Sequence, residues 1–344
     1  MVNVGIVGLG FMGKMHFECY QANRKARVVA IADVDPAKRA GDWSSIGGNI
    51  GDAAGAVVDL DGITTYARAA DLMADANVEL VDICLPTYLH AKFTVAALKA
   101  GKHVMCEKPM ALTSRECDAV RRAARTAPGK IMFGHCIRFW PEYAVAKKII
   151  DSGRHGAVLS ATFRRVSATP TWSWNNWLMK GARSGGAALD LHVHDTDYIL
   201  WLFGAPQKVA SQGTRLVSSG IDHIVTHYYY RRRNLQVTAE GGWMMPSGVP
   251  FEMGFTIVCE KGTLEFRSGS GRGLQVFLPS GRVLSPKVPA GDGYSRELDY
   301  LLTCIERKRP VEVITPASSA LSVRVVEREI ESVRKRTAVA VRAG

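Results

Sequence analysis

Seven consecutive residues, LHVHDTD (Leu191–Asp197), hold two histidines and two aspartates, and Asp190 stands immediately before them. Such a set could bind a metal or move a proton, and secondary structure decides which. On a strand alternate side chains share a face, so His192 and His194 could grip one ion. On a helix successive residues rotate by about 100°, which puts Asp190, His194 and Asp197 on one face and turns His192 roughly 160° away from His194. Gly185 and Gly186 precede the segment, Gly204-Ala205-Pro206 end it, and Leu189, Val193, Leu200 and Phe203 form a broken apolar stripe at helical spacing. The segment is therefore predicted to be helical. On that reading no metal is expected, and His194, with Asp190 one turn behind it, could move a proton or be a satisfied structural histidine. His192 is left as a pocket wall, a domain contact or a hydrogen-bonding group.

A second constellation lies at the start of the chain. Gly8-Leu9-Gly10-Phe11-Met12-Gly13 follows an apolar run and opens a helical pattern. Glycines there let the backbone turn tightly and approach a pyrophosphate, whose charge meets unsatisfied N–H groups at the helix N-terminus. The pattern alone is weak; its context strengthens it. Asp33 ends the next apolar run, VVAIAD, 20 residues after Gly13, where a carboxylate can accept hydrogen bonds from ribose hydroxyls. Asp33 would repel a 2′-phosphate, so NAD is the expected cofactor, with NADP as the alternative because Lys38 and Arg39 follow closely.

The elements that must position these residues fall into two styles. The first third alternates valine- and isoleucine-rich runs (VNVGIV, RVVAIAD, LVDICLP, HVMCEKP) with helical stretches from about Phe11, after Pro36 and from about Ala91. That alternation predicts a doubly wound α/β domain on a parallel sheet, placed at 1–124. The remainder, 125–344, reads as an α+β domain. From about Gly156 it runs through strands such as AVLSATFRRV, HIVTHYYYRRRNLQVTAEGG, FEMGFTIVCEKGTLEF and LQVFLP, which suit a large, mainly antiparallel open sheet. Helices follow near Ser295–Arg307 and Pro316–Arg334.

Composition excludes several function classes. The 344 residues are 47% hydrophobic and 22% charged, enough for two domains with sizeable cores. No apolar stretch approaches the roughly 20 residues that cross a bilayer, so no membrane partner is expected and the cytoplasm is the default compartment. Seven cysteines without a C-x-x-C pair signal neither a disulfide framework nor a thiolate zinc site. The net charge of +12 is dispersed, with one tight run at Arg231-Arg232-Arg233 read as a solvated hairpin tip, so nucleic acid is not an expected partner.

Two further blocks, DICLPTYLH (Asp82–His90) and AGKHVMCEKPMAL (Ala100–Leu112), complete a pattern with the glycine motif, SGGAALDLHVHDTDYILWLFGAP and the C-terminal helices. In order and spacing the chain resembles the Gfo/Idh/MocA family of glucose-fructose oxidoreductase and inositol dehydrogenase-like enzymes, nearly end to end. The resemblance implies a Rossmann domain joined to an α+β domain whose open sheet makes a homodimer or homotetramer. It implies NAD(P)-dependent hydride transfer at a secondary hydroxyl or carbonyl of a sugar, polyol or cyclitol. It carries catalytic roles onto Lys108, Asp190 and His194: His194 as acid/base, Lys108 as electrostatic catalyst, Asp190 in support. Leu85, Pro86, Thr87, His90, Glu107 and Lys108 would join Gly8, Gly10, Phe11, Met12, Gly13 and Asp33 around the cofactor, although His90 could equally cap the next helix. Arg138, Trp174, His192 and Asp197 would face substrate, although Arg138 could equally form an ion pair at the domain junction and Trp174 could be a core or interface residue. Relatives commonly carry glycine where this chain has His192, which makes that residue a lead to what distinguishes its substrate. NAD-assisted glycoside hydrolysis and a non-catalytic NAD-binding sensor or partner subunit are the alternatives, and net NADH production separates the first of them from a dehydrogenase.

Overall fold

The computed structural model describes residues 1–48, 57–231 and 234–341; Arg232 and Arg233 of the basic run lie outside the described residues. In chain order the elements are β1 (Val2–Val7), α1 (Phe11–Gln21), β2 (Ala26–Ala32), α2 (Pro36–Arg39), β3 (Thr64–Tyr66), α3 (Ala69–Ala74), β4 (Leu80–Ile83), α4 (Thr87–Lys99), β5 (His103–Cys106), α5 (Ser114–Thr126), β6 (Ile131–Phe133) and α6 (Pro141–Asp151). There follow β7 (Val158–Ala168), α7 (Gly181–Ser184), α8 (Gly186–Asp190), α9 (Val193–Phe203), β8 (Lys208–Thr214), β9 (His223–Tyr229), β10 (Gln236–Met245), β11 (Glu252–Cys259) and β12 (Gly262–Arg267). The chain closes with β13 (Gln275–Phe277), β14 (Val283–Leu284), α10 (Gly293–Glu306), α11 (Pro316–Lys335) and β15 (Val339–Ala340). Two compact units emerge: Met1–Cys136 with Thr171–Trp177 and Tyr294–Val323, and Ile137–Pro170 with Leu178–Gly293 and Arg324–Gly344.

The first unit holds a six-stranded sheet in the order β3-β2-β1-β4-β5-β6, every pairing parallel. Its inner strands are buried on both faces, as near-continuous apolar runs require when helices cover a sheet twice. Strand order reverses at β1, which has β2 on one side and β4 on the other; the loops beyond the carboxyl ends of β1 and β4 frame the switch point where such sheets bind ligands. Helix α4 starts at Thr87, earlier than the apolar spacing implies. Pro86, with φ of −56°, is its N-cap and its carbonyl accepts the Leu89 N–H, so His90 is inside the first turn rather than capping it.

The second unit is built on a nine-stranded sheet, β14-β13-β12-β11-β7-β10-β9-β8-β15, antiparallel throughout except where β7 and β10 run parallel. Alternation along β7 sends Ala161, Phe163 and Arg165 inward while Thr162 and Arg164 face the other way. Tyr143 then meets both Tyr198 and Phe255 edge to face at 4.9 Å, and Tyr198 meets Phe163 in the same manner, fastening α6 and α9 to the sheet. Beside this apolar cluster Arg165 donates two parallel bonds to Asp195, at 2.9 and 3.0 Å, with the aspartate fully buried. Replacing Arg165 by Met would strand that carboxylate in the core. The expected loss is about 3–5 kcal/mol, read as a fall in the thermal midpoint, and most of it should return when Asp195→Leu is added. An unchanged midpoint in Arg165→Met would refute the pairing.

Candidate active site

In the first unit the glycine motif forms a cradle that demands glycine at two of its three glycine positions. Gly8 has φ of +94°, and a Cβ on Gly13 would stand 1.9 Å from the Gly8 carbonyl oxygen. Helix α1 begins after Gly10 with no side-chain cap, so the N–H groups of its first turn, from Phe11 to Gly13, are left for a ligand. In front of Gly10 the space is open, since a Cβ there would meet nothing within 4 Å. Asp33 is tied to the same loop: its Oδ2 accepts the Leu9 N–H at 2.6 Å and its Oδ1 the Asp35 N–H at 2.8 Å. A fixed, half-buried carboxylate beside an uncapped helix is what a dinucleotide's ribose and pyrophosphate need, so the residues fit NAD. Arg39 lies alongside, its Nη1 donating to the carbonyls of Asp33 and Val34. Phe11 packs against Trp172, ring centres 5.5 Å apart, while Trp174 is exposed.

The turn after β5 carries Lys108, half-buried between fully packed neighbours. Glu107 is buried, and its Oε2 accepts the Lys108 backbone N–H at 3.0 Å. Its Oε1 is 3.2 Å from His16 Nε2, an ion pair lying off the line of a hydrogen bond. His16 Nδ1 in turn contacts Asp82 Oδ2 at 2.8 Å. Burial pushes the His16 imidazole down, but Asp82, and to a smaller degree Cys84, carry it well above its ordinary value. Burial raises Glu107, yet the neighbouring His16, with Lys108 and His90, brings it below the usual carboxylate range. His90 bridges two carbonyls, Nδ1 to Pro109 at 2.7 Å and Nε2 to Leu85 at 2.6 Å; burial lowers its pKa against their pull. Leu85 and Pro86 are half-buried and Thr87 is buried at the start of α4.

Donor atoms converge on His16 in two sets, with Asp82 and Cys84 and with Glu107 and Glu297, each set within 4.8 Å. Asp82 on one side and Glu107 on the other favour the charged form of this ring, so the cluster reads as an ion-paired line through His16. Sequence inspection passed over this cluster, although two signals were there: an aspartate inside the apolar run LVDIC, and a histidine one turn beyond the last motif glycine.

In the second unit LHVHDTD is helical, as its spacing predicts. Leu191 and His192 keep right-handed angles between α8 and α9, so Asp190 stays one turn before His194, and both are half-buried. The flanking residues are buried and occupied. Asp197 takes two bonds from Arg138, at 2.7 and 2.8 Å, so those two expected substrate contacts satisfy each other. His192 is fully buried, 3.2 Å from Glu329 and 3.3 Å from the Tyr228 hydroxyl. Room for it comes from Gly241 on β10, where a Cβ would sit 2.8 Å from the imidazole. Lys108 and Trp174 belong to the first unit, Arg138, Asp190, His192, His194 and Asp197 to the second.

Residues 2–135 match the oxidoreductase family with an NAD-binding Rossmann fold, and residues 143–265 match the GFO/IDH/MocA C-terminal domain. The chain belongs to the GFO/IDH/MocA oxidoreductase family. It is 32% identical over 223 residues to the inositol 2-dehydrogenase of Rhizobium meliloti, a match spanning 64% of this chain and 61% of that relative. It is 30% identical over 226 residues to the levoglucosan dehydrogenase of Pseudarthrobacter phenanthrenivorans, across 59% of this chain and 51% of that enzyme. The chain thus aligns with little more than half the length of these relatives. Among solved structures, a levoglucosan dehydrogenase in complex with NADH and levoglucosan superposes with a TM-score of 0.83 at 23% identity, covering 99% of both chains, a likeness of fold.

Two outcomes test this GFO/IDH/MocA site. Gly13→Ala should weaken NADH binding at least about tenfold in a fluorescence titration, since its methyl displaces the Gly8 peptide from the cradle; undiminished binding would show that the motif is a plain turn. The raised His16 value gives a signed pH effect. The folded state holds this proton more tightly than the unfolded chain, so the stabilisation is complete below about pH 6.5 and is lost as pH rises through the folded value. Urea midpoints should fall over that alkaline range in the native protein and fall less in His16→Asn.

Proposed function

We propose that this chain is an NAD(P)-dependent dehydrogenase or reductase acting on a secondary hydroxyl or carbonyl of a sugar, polyol or cyclitol, with NAD preferred. The observation that carries the reading is the Asp33 carboxylate anchored to the Leu9 N–H beside an uncapped, open helix N-terminus. The activities of the inositol and levoglucosan dehydrogenase relatives support the substrate class. When bound, the nicotinamide supplies the hydride acceptor or donor. Lys108 stabilises the alkoxide that develops as the hydroxyl is oxidised, and polarises the carbonyl in the reverse direction. His194 takes the hydroxyl proton on an imidazole nitrogen, and Asp190, one helical turn behind, biases which nitrogen carries it.

Arg138, Asp197 and His192 serve in this reading as the frame that sets the direction of His194, and Trp174 remains the exposed ring suited to a sugar face. We place assembly of copies on the nine-stranded sheet, where Arg164, Glu240 and Glu252 form an ion-pair network facing away from the core. The cytoplasm fits seven free cysteines; among the described residues no helix is long and apolar enough to cross a membrane.

A screen of inositols, aldoses and anhydrosugars for NADH formation, read by absorbance, tests the activity. On the substrate it finds, Lys108→Met and His194→Ala should each lower kcat about 10²- to 10⁴-fold while NADH affinity stays within about threefold. Turnover unchanged in both variants would refute the assigned roles, and product release without net NADH would point to transient oxidation instead.

A further inference from the structure

Three buried ionisable side chains of the first unit have no part in the chemistry just described: His16 on α1, Asp82 in the middle of β4 and Glu107 at the end of β5. They form one line of contacts. Asp82 Oδ2 lies 2.8 Å from His16 Nδ1, His16 Nε2 3.2 Å from Glu107 Oε1, and Glu107 Oε2 accepts the Lys108 N–H at 3.0 Å. Tyr20 from α1, Cys84 after β4 and Glu297 from α10 also face the imidazole. Behind the Glu107 carboxylate stands Gly134, whose missing side chain leaves the space that carboxylate occupies. Beyond Lys108, the Pro109 carbonyl is fixed separately by His90 from α4.

An apolar trio of similar volume would stabilise the fold at least as well, because charges leaving water lose most of what their attraction returns. What the charged line provides is direction: it ties one peptide N–H to a strand and to the helix that opens at the glycine motif. His16 lies one turn beyond Gly13, so the helix whose N-terminus faces the phosphate cradle also sets the turn that bears the lysine.

We propose that His16 is a positioning residue for Lys108, acting through the Glu107 carboxylate. The proposal rests on the reading of Lys108 as the group that stabilises the alkoxide. His16 touches neither substrate nor cofactor in this role; it fixes the backbone from which the lysine side chain extends.

The test is His16→Asn in the full chain, since asparagine can keep the Asp82 contact and cannot reach Glu107. The expected result is a fall of about 10- to 100-fold in kcat, NADH dissociation constant within about threefold of the native value, and Lys108 amide hydrogen exchange faster by about tenfold or more while β2 amides keep their protection. The double variant with Glu107→Gln should lose no more than His16→Asn alone, because both remove one line of contacts. Turnover within about twofold together with an unchanged Lys108 amide would overturn the proposal. So would a lowered thermal midpoint as the sole change, or one divalent ion per chain lost on mutation. If His16→Asn fails to fold, Glu107→Gln is read in its place with the same outcomes. Lys108→Met, run in parallel, separates the two layers. Native turnover in that variant sinks the catalytic reading of the lysine, whereas the amide-exchange comparison reports the His16 linkage whatever the chemistry.

Discussion

Two guanidinium groups hold one helix, and the candidate chemistry of the second unit depends on that grip. Arg165, from the central strand β7, and Arg138, from the short turn after β6, each meet a carboxylate of α9 through two parallel bonds, at Asp195 and Asp197. A bidentate pair fixes orientation as well as distance, so two pairs two residues apart leave the helix no freedom to roll. Thr196 adds a third hold through Tyr228 and Glu329. With Val193, Asp195, Thr196 and Asp197 all buried, His194 is the one residue of this stretch with part of its surface in the open. The roll of α9, more than the identity of any neighbour, therefore determines where that imidazole points.

Much of this fold could be read from local patterns. The parallel sheet, the glycine cradle, Asp33 at the end of β2 and the helical state of LHVHDTD all follow from periodicity and turn chemistry within windows of a few residues. Partnership across the chain was beyond such windows. His16 and Asp82 are 66 residues apart, Arg138 and Asp197 59, Arg165 and Asp195 30. Nothing local marks which charges will neutralise each other, so an ion pair could be weighed for Arg138 but its partner Asp197 could not be named. The surroundings of His192 are equally non-local: the room for its ring comes from an absent side chain at Gly241 on a different element, visible only once β10 lies against the helix start.

Lys108 and His194 are presented in the same manner despite unrelated surroundings. Each is half-buried, and each has an immediate neighbour in sequence that is buried and charged: Glu107 before the lysine, Asp195 after the histidine. The neighbour's charge is met from another element, by His16 in one case and Arg165 in the other. Anchoring the adjacent residue rather than the proposed catalytic one keeps the backbone still while leaving the proposed catalytic side chain its own contacts. An apolar anchor could supply comparable stability by area, but it would tolerate sliding and rotation that a directional charge pair does not. Buried ion pairs beside these two proposed catalytic residues thus bear more on aim than on stability. In this chain they account for polar positions in α9 and β4 that hydrophobic patterning alone would have filled with valine or leucine.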